Sequence, residues 1–142
     1  MPIYLEGFSD RMKGLVKGWS KVYFEVKEEN LPSANKIEVI RMFNKKGRML
    51  GKITYELTPD LTVKIQGFSI DDWSKKENFG HRLLKWYIDH IRKRNFQAIE
   101  GGIYSTDART SDRLDIFKAF GFDVRELGSM AGHTEYKVEL RF

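Results

Sequence analysis

Apolar and polar side chains alternate along the first half of the chain. Over residues 19–27 (WSKVYFEVK), Val22, Phe24 and Val26 recur at every second position, the spacing that puts them on one face of a β-strand. Residues 30–35 (NLPSAN) have the composition of a turn,. Alternation resumes at 36–43 through Ile37, Val39, Arg41 and Phe43. Asn44-Lys45-Lys46-Gly47 then links that strand to a third at 49–57, with glycine where a hairpin tolerates positive φ,. After the turn Thr58-Pro59-Asp60, residues 61–70 predict a fourth strand. The four make an antiparallel meander.

The period then changes. From Phe79 the apolar residues fall at 79, 83, 84, 87, 88 and 91, one face of a helix of 3.6 residues per turn. Asn95 ends that helix, and 97–104 (QAIEGGIY) is apolar enough for a buried strand. A polar loop (STDART) leads to a short helix over 111–120, stopped by Gly121,. A strand at 122–127, a loop at 128–133 (GSMAGH) and a strand at 134–141 close the chain. Strand 61–70, helix 79–95 and strand 97–104 form a crossover unit, whose strands run parallel. The reading is one α/β (α+β) domain over 1–142, with a mixed, largely antiparallel sheet flanked by helices. It comprises a strand meander over about 16–70, a strand–loop–helix over about 61–95 and a strand–helix–strands segment over about 97–142.

Composition narrows the chemistry. With 41% hydrophobic and 13% aromatic residues the chain can bury a core,. Without cysteine there is no disulfide scaffold, thiol nucleophile or thiolate-bound metal,. Three scattered histidines, at 81, 90 and 133, argue against a histidine-built metal site. No apolar run reaches the roughly 18–20 residues of a membrane span, and the start MPIYLEGFSDRMKG lacks the pattern of a secretory signal,. The expectation is a cytoplasmic domain without a membrane partner. The net charge of +5 is evenly spread, with 12 basic and 9 acidic residues over 1–71 and 13 and 11 over 72–142. No basic stripe with interleaved aromatics marks a nucleic-acid partner.

The most informative stretch runs from strand to helix, Ile70-Asp71-Asp72-Trp73-Ser74-Lys75-Lys76-Glu77-Asn78-Phe79-Gly80-His81-Arg82-Leu83-Leu84. A helix amino terminus presents unpaired N–H groups and the positive end of its dipole, which suits phosphate. Gly80 removes a side chain where a ligand could approach the backbone, and Lys75, Lys76 and His81 add donors,. Set against this, a basic loop opening a helix is usually only a loop.

On these residues the segment from Phe68 to Phe122 resembles the Gcn5-related N-acetyltransferase (GNAT) superfamily. The family pattern [Arg/Gln]-x-x-Gly-x-[Gly/Ala] corresponds to Lys75-Lys76-Glu77-Asn78-Phe79-Gly80, and its Tyr-x-x-x-Gly-Phe-like signature to Phe117-Lys118-Ala119-Phe120-Gly121-Phe122. The resemblance implies a GNAT-like acyl-CoA N-acyltransferase fold and binding of acetyl-CoA or CoA. It puts the pyrophosphate on the N–H groups of 76–81, beside Lys75, Asn78, Phe79, Gly80, His81 and Arg82. The pantetheine arm would pair along Phe68, Ser69 and Ile70, with Thr110 and Phe117 at the motif positions of the second helix. A splay between strands 61–70 and 97–104 would admit the arm from one side and an amine from the other. The amine would attack the thioester directly, with a strand N–H polarising the carbonyl oxygen.

The sequence departs from the family at several of these positions. Lysine stands first in the motif and lacks the arginine fork. Asn78 replaces a glycine, though asparagine tolerates left-handed geometry. Phe117 replaces the tyrosine that protonates the leaving thiolate, Thr110 replaces an asparagine, and Lys64 stands where some relatives keep a base. The helix pair usual between the first two strands has only the turn 28–35 to occupy. Glu100 through water is the preferred base and Tyr104 a candidate phenol, against bland readings as a solvent-facing carboxylate and a packed aromatic. Asp71, Asp72 and His133 read first as loop residues, and Trp73 and Trp86 as packing residues. Two functions follow: transfer of an acetyl group to a primary amine, small-molecule or peptide, or a catalytically impaired CoA-binding or regulatory module. An exposed face on the final strand or on 19–27 could pair two subunits as a homodimer.

Overall fold

The computed structural model describes residues 3–5, 19–30, 32, 34–74, 76–104 and 110–142. These form ten elements: β1 (Ile3–Leu5), β2 (Val22–Glu29), β3 (Lys36–Asn44), β4 (Met49–Leu57), β5 (Thr62–Ile70), α1 (Phe79–Lys93), β6 (Ala98–Tyr104), α2 (Thr110–Ala119), β7 (Asp123–Met130) and β8 (His133–Arg141). The strands make one sheet in the order β1-β2-β3-β4-β5-β6-β8-β7. Each neighbouring pair is antiparallel except β5 and β6, which the crossover through α1 makes parallel.

The meander follows its turn chemistry. In the β3–β4 turn Asn44 Oδ1 accepts hydrogen bonds from the N–H of Lys46 (2.9 Å) and Arg48 (3.0 Å). Gly47 there has φ 84°. On α1, Phe79, Leu83, Leu84, Tyr87, Ile88 and Ile91 are all buried, the face that the periodicity predicts. Trp86 stacks on Phe24 of β2 at 4.6 Å, and Tyr87 meets Tyr55 of β4 at 5.0 Å. These contacts define a helix-covered face of the sheet. At the far end of α1, Arg94 donates to Glu38 of β3 at 2.6 and 3.2 Å, and the Tyr55 hydroxyl donates to the same carboxylate at 2.8 Å. No helix among the described residues is long and apolar enough to cross a membrane.

Three expectations are corrected. Residues 128–133 are not a loop: β7 and β8 form a tight hairpin turned by Ala131 (φ 51°) and Gly132 (φ 82°). The stretch reads as a loop because glycine and serine have low strand propensity, which the ladder to β8 overrides. An additional strand, Ile3–Leu5, pairs antiparallel with β2. The interval between the first two strands is therefore 6–21 rather than 28–35, and residues 6–18 lie outside the described residues. The first meander strand is displaced to Val22–Glu29, because its apolar side chains register against Met42 and Ile40 of β3.

Candidate functional site

β5 changes partners along its length. From Val63 to Ile65 it pairs with β4 on one side and with β6 on the other, the β6 ladder running from Thr62↔Ala98 to Ile65↔Gly101. The register with β4 then slips: Tyr55 faces Ile65, but Thr54 faces Gly67, leaving Gln66 as the extra residue of a bulge. A bulge bends its strand and raises its twist. Beyond this one, Phe68, Ser69 and Ile70 pair with β4 only, and their other edge is turned to the gap beside β6.

A pocket of about 250 Å³ fills that gap. Ile65, Phe68, Ile103, Phe117 and Val138 form its apolar wall, Arg113 reaches it from α2, and Gly67 and Gly102 keep it open, whereas the space beside Gly101 is filled by Ile65 and Val138. The register puts Gly67 and Gly102 on the sheet face opposite the helices, so the opening reaches both faces. Phe117 is 1% exposed, with its ring 5.5 Å from Phe68 and edge-on to Phe122 at 5.0 Å. It has no hydroxyl to offer there. Thr110, at the start of α2, is buried.

Glu100 lies one residue before the gap, on the open face. Its carboxylate oxygens are 3.9 Å from Lys64 Nζ on β5 and 3.7 Å from Lys137 Nζ on β8. The charges at the vertex are thus arranged across strands: the cation sits on β5 and the carboxylate on β6. Tyr104 ends β6, and its side chain lies outside what is described, as does Lys75.

The second cavity opens at the amino terminus of α1. It measures about 140 Å³ and is lined by Ser74, Asn78, Phe79, Gly80 and His81, with Asp72 and Trp73 from the preceding loop and Asp112 and Ile116 from α2. Asn78 is left-handed at φ 52° and ψ 45°, the geometry expected of the residue in the glycine position. Arg82 N–H makes a helical bond to Asn78 O at 3.0 Å, and the N–H groups before it have no intrahelical acceptor. Burial holds the His81 imidazole below its ordinary range.

Two residues differ from their expected part in this cradle. A Cβ at Gly80 would stand 2.6 Å from Ile116 Cδ1 and 3.6 Å from Ile70 Cγ1. The space beside the glycine is filled by α2 and β5, so it brings two elements together rather than a ligand to backbone. Arg82 is 3% exposed and points inward. It donates to Glu77 Oε2 (3.0 Å) and the Ser20 carbonyl (2.5 Å), and its guanidinium lies 4.6 Å over the Trp19 ring. Glu77 also accepts from the Ser20 N–H, and Trp19 donates to the Lys76 carbonyl at 2.9 Å. Arg82 therefore ties the loop to the segment just before β2, a contact between residues about sixty positions apart that no local pattern reveals. Lys76 is exposed and is not among the lining residues. The cradle relies on backbone N–H groups, Ser74 and His81, beside two aspartates. Of these, Asp72 is paired with Arg48 at 3.2 Å.

Arg113 and the three glycines were not singled out by the sequence reading. Arg113 stands four residues before Phe117 and so shares its helix face, which was the available signal.

No family model matches the sequence. An 85-residue stretch is 28% identical to Probable N-acetyltransferase 14 of Xenopus tropicalis, covering 59% of this chain and 40% of that protein. The chain thus spans less than half the length of this relative. A candidate GNAT-family acetyltransferase from Desulfovibrio desulfuricans superposes with TM-score 0.64 at 12% identity, over 83% of this chain and 98% of the other. A candidate streptothricin acetyltransferase from Bacillus anthracis, solved in complex with acetyl coenzyme A, superposes with TM-score 0.60 at 10% identity, over 100% and 99%. The chain has the fold of the GNAT acetyltransferases.

Proposed function

We infer that this protein is an acetyl-CoA-dependent acetyltransferase whose acceptor is a primary amine. The observation that carries the reading is the gap between β5 and β6: a bulge ends the pairing where an apolar pocket opens through the sheet, next to a helix amino terminus. The residues present fit the two halves of the cofactor unequally. The free edge of Phe68 to Ile70 suits the amides of a pantetheine arm, as an added strand would be bound. At the α1 cradle the N–H groups and His81 favour a pyrophosphate, beside the carboxylates of Asp72 and Asp112. When bound, the thioester supplies an activated acetyl carbonyl.

Glu100 is the group available to relieve the amine of its proton. It lies on the face opposite α1 and α2, the side from which an acceptor reaches the vertex while the cofactor lies against the helices. The backbone N–H groups freed by the bulge are the donors for the carbonyl oxygen, a role worth about 10²–10³ in rate where measured. The non-catalytic alternative draws support from Phe117, whose buried ring has no proton to donate.

Calorimetric titration with acetyl-CoA and with CoA tests the reading. A ligand at about 100 times its dissociation constant stabilises the native state by about 2.7 kcal/mol, which a thermal melt registers. Binding followed by CoA release in a panel of primary amines is the expected result. Binding without turnover on any amine would favour the non-catalytic module. No binding at millimolar ligand would overturn the acetyltransferase reading and leave a regulatory module that works without the cofactor.

A further inference from the structure

β7 forms one edge of the sheet, with β8 as its strand neighbour. β8 and β2 are interior strands with a partner on either side, so neither has an edge to offer a second subunit. The outer side of β7 presents N–H and C=O groups that no strand among the described residues meets. Natural sheets shield such an edge with lysine, proline or a bulge. β7 contains neither lysine nor proline, and its bulge comes only at Leu127, after a regular stretch from Asp123 to Glu126.

The charges on that stretch are poorly matched within the chain. Asp123 stands opposite Glu139 and Arg125 opposite Lys137, and like charges facing each other across a ladder destabilise it. Glu139 is already bonded to Arg141 at 3.1 Å, and Lys137 lies 3.7 Å from Glu100. Asp123 and Arg125 are both exposed, and neither has a hydrogen bond or ion pair through its side chain among the described residues. Across the ladders they share the open face with Glu100 and Gly102.

We propose that the outer edge of β7 pairs antiparallel with β7 of a second copy, about a two-fold axis at Val124, joining two sheets into one. A two-fold axis perpendicular to the sheet keeps the open faces of both copies on one side, so opposed residues share a face. Centred on Asp123, Arg125 or Glu126, the pairing would set a charge against its own counterpart. Centred on Val124, it sets Asp123 opposite Arg125 of the second copy, and does so twice. Val124, half-buried against the core, meets its own counterpart between the two ion pairs. The second copy thus gives each charge the opposite partner that β8 does not.

Sedimentation velocity over a concentration series reads the association directly. The wild-type chain should sediment as a concentration-dependent dimer, weakened at about 1 M salt, where the screening length falls to about 3 Å. Asp123→Lys and Arg125→Glu should each raise the dissociation constant about tenfold, since each turns both ion pairs into like-charge pairs. Mixed one to one, the two variants should associate within about threefold of wild type. In that mixed dimer the introduced lysine faces the introduced glutamate, while the Asp123 kept by one chain faces the Arg125 kept by the other. Each change also places opposite charges across the β7–β8 ladder, so both variants should melt no lower than the wild type. A wild-type chain that stays monomeric up to millimolar concentration would overturn the proposal. So would single variants that associate like the wild type, or a mixture no tighter than its components.

Discussion

Gly80 illustrates how a residue type admits two explanations that only its neighbours separate. Beside a helix amino terminus a glycine reads as space for a phosphate, yet here the missing Cβ makes room for the Ile116 side chain. The near contact is the far end of a flexible chain, and helix interiors favour alanine over glycine by about 1 kcal/mol. Gly80→Ala should therefore leave stability within about 1 kcal/mol of wild type. Gly80→Leu should cost about 1–3 kcal/mol by overpacking α1 against α2. Denaturant melts of the two decide it: equal, small effects would mean that the space is open after all. Asn78 was legible in the sequence, since asparagine is the non-glycine residue suited to αL and it adopts φ 52°,. Arg82 was not, because its partners Ser20 and Trp19 come from a distant segment just before β2.

At the scale of elements, α1 is pinned at both ends by long-range polar contacts. Its far end depends on Glu38, which is 7% exposed and bonded by Arg94 and Tyr55. Burial alone would raise the Glu38 pKa, but the hydrogen bonds from Arg94 and Tyr55 outweigh it and hold the group below its ordinary 4.5. A carboxylate depressed in the folded state contributes stability that is complete above its unfolded value and lost as pH falls through the folded one. Wild-type stability should accordingly decline on acidification below about pH 4.5,. Arg94→Met should lose about 2 kcal/mol at neutral pH, since Arg94 is partly exposed and the full buried-pair cost does not apply. It should also flatten the acid decline. Chemical denaturation across a pH series measures both, and an unchanged acid limb in Arg94→Met would show that other carboxylates govern it. The β7–β8 hairpin shows the opposite case of legibility. Ala131 is a poor turn residue, so its left-handed φ of 51° follows from the register of two strands rather than from its own preference,.

For the whole molecule, the consequence of the topology is a sheet that is continuous at one end and divided at the other. β5 belongs to the antiparallel meander through β4 and to the crossover unit through β6, and after Ile65 it follows β4 alone. Gly67 sits at that divide with nothing within 4 Å of where a Cβ would lie. Gly67→Val should keep the fold, with stability within about 0.5 kcal/mol, as for substitutions that disturb no packing. By filling the gap it should lower acetyl transfer by at least tenfold, about 1.4 kcal/mol in the transition state. Retained stability with full transfer would move the acceptor path away from the gap.

The order and type of most elements follow from local physics: alternation for strands, a 3.6-residue period for α1, and glycine and asparagine at the turns. The parallel step between β5 and β6 follows too, because a helical crossover of that length returns the chain in the same direction. From this and two short motifs came the likeness to the GNAT acetyltransferases, together with the gap and Phe117 beside it. Tertiary structure alone decided which side chains face the gap and which are consumed in holding it. Arg82 was turned inward by Trp19, Glu100 was set between Lys64 and Lys137, and Arg113 was brought beside Phe117 in the pocket. The reason is range. Backbone preference acts over a few residues, whereas the environment of a charge is set by whatever the sheet order brings within a few ångströms, from strands up to sixty residues away.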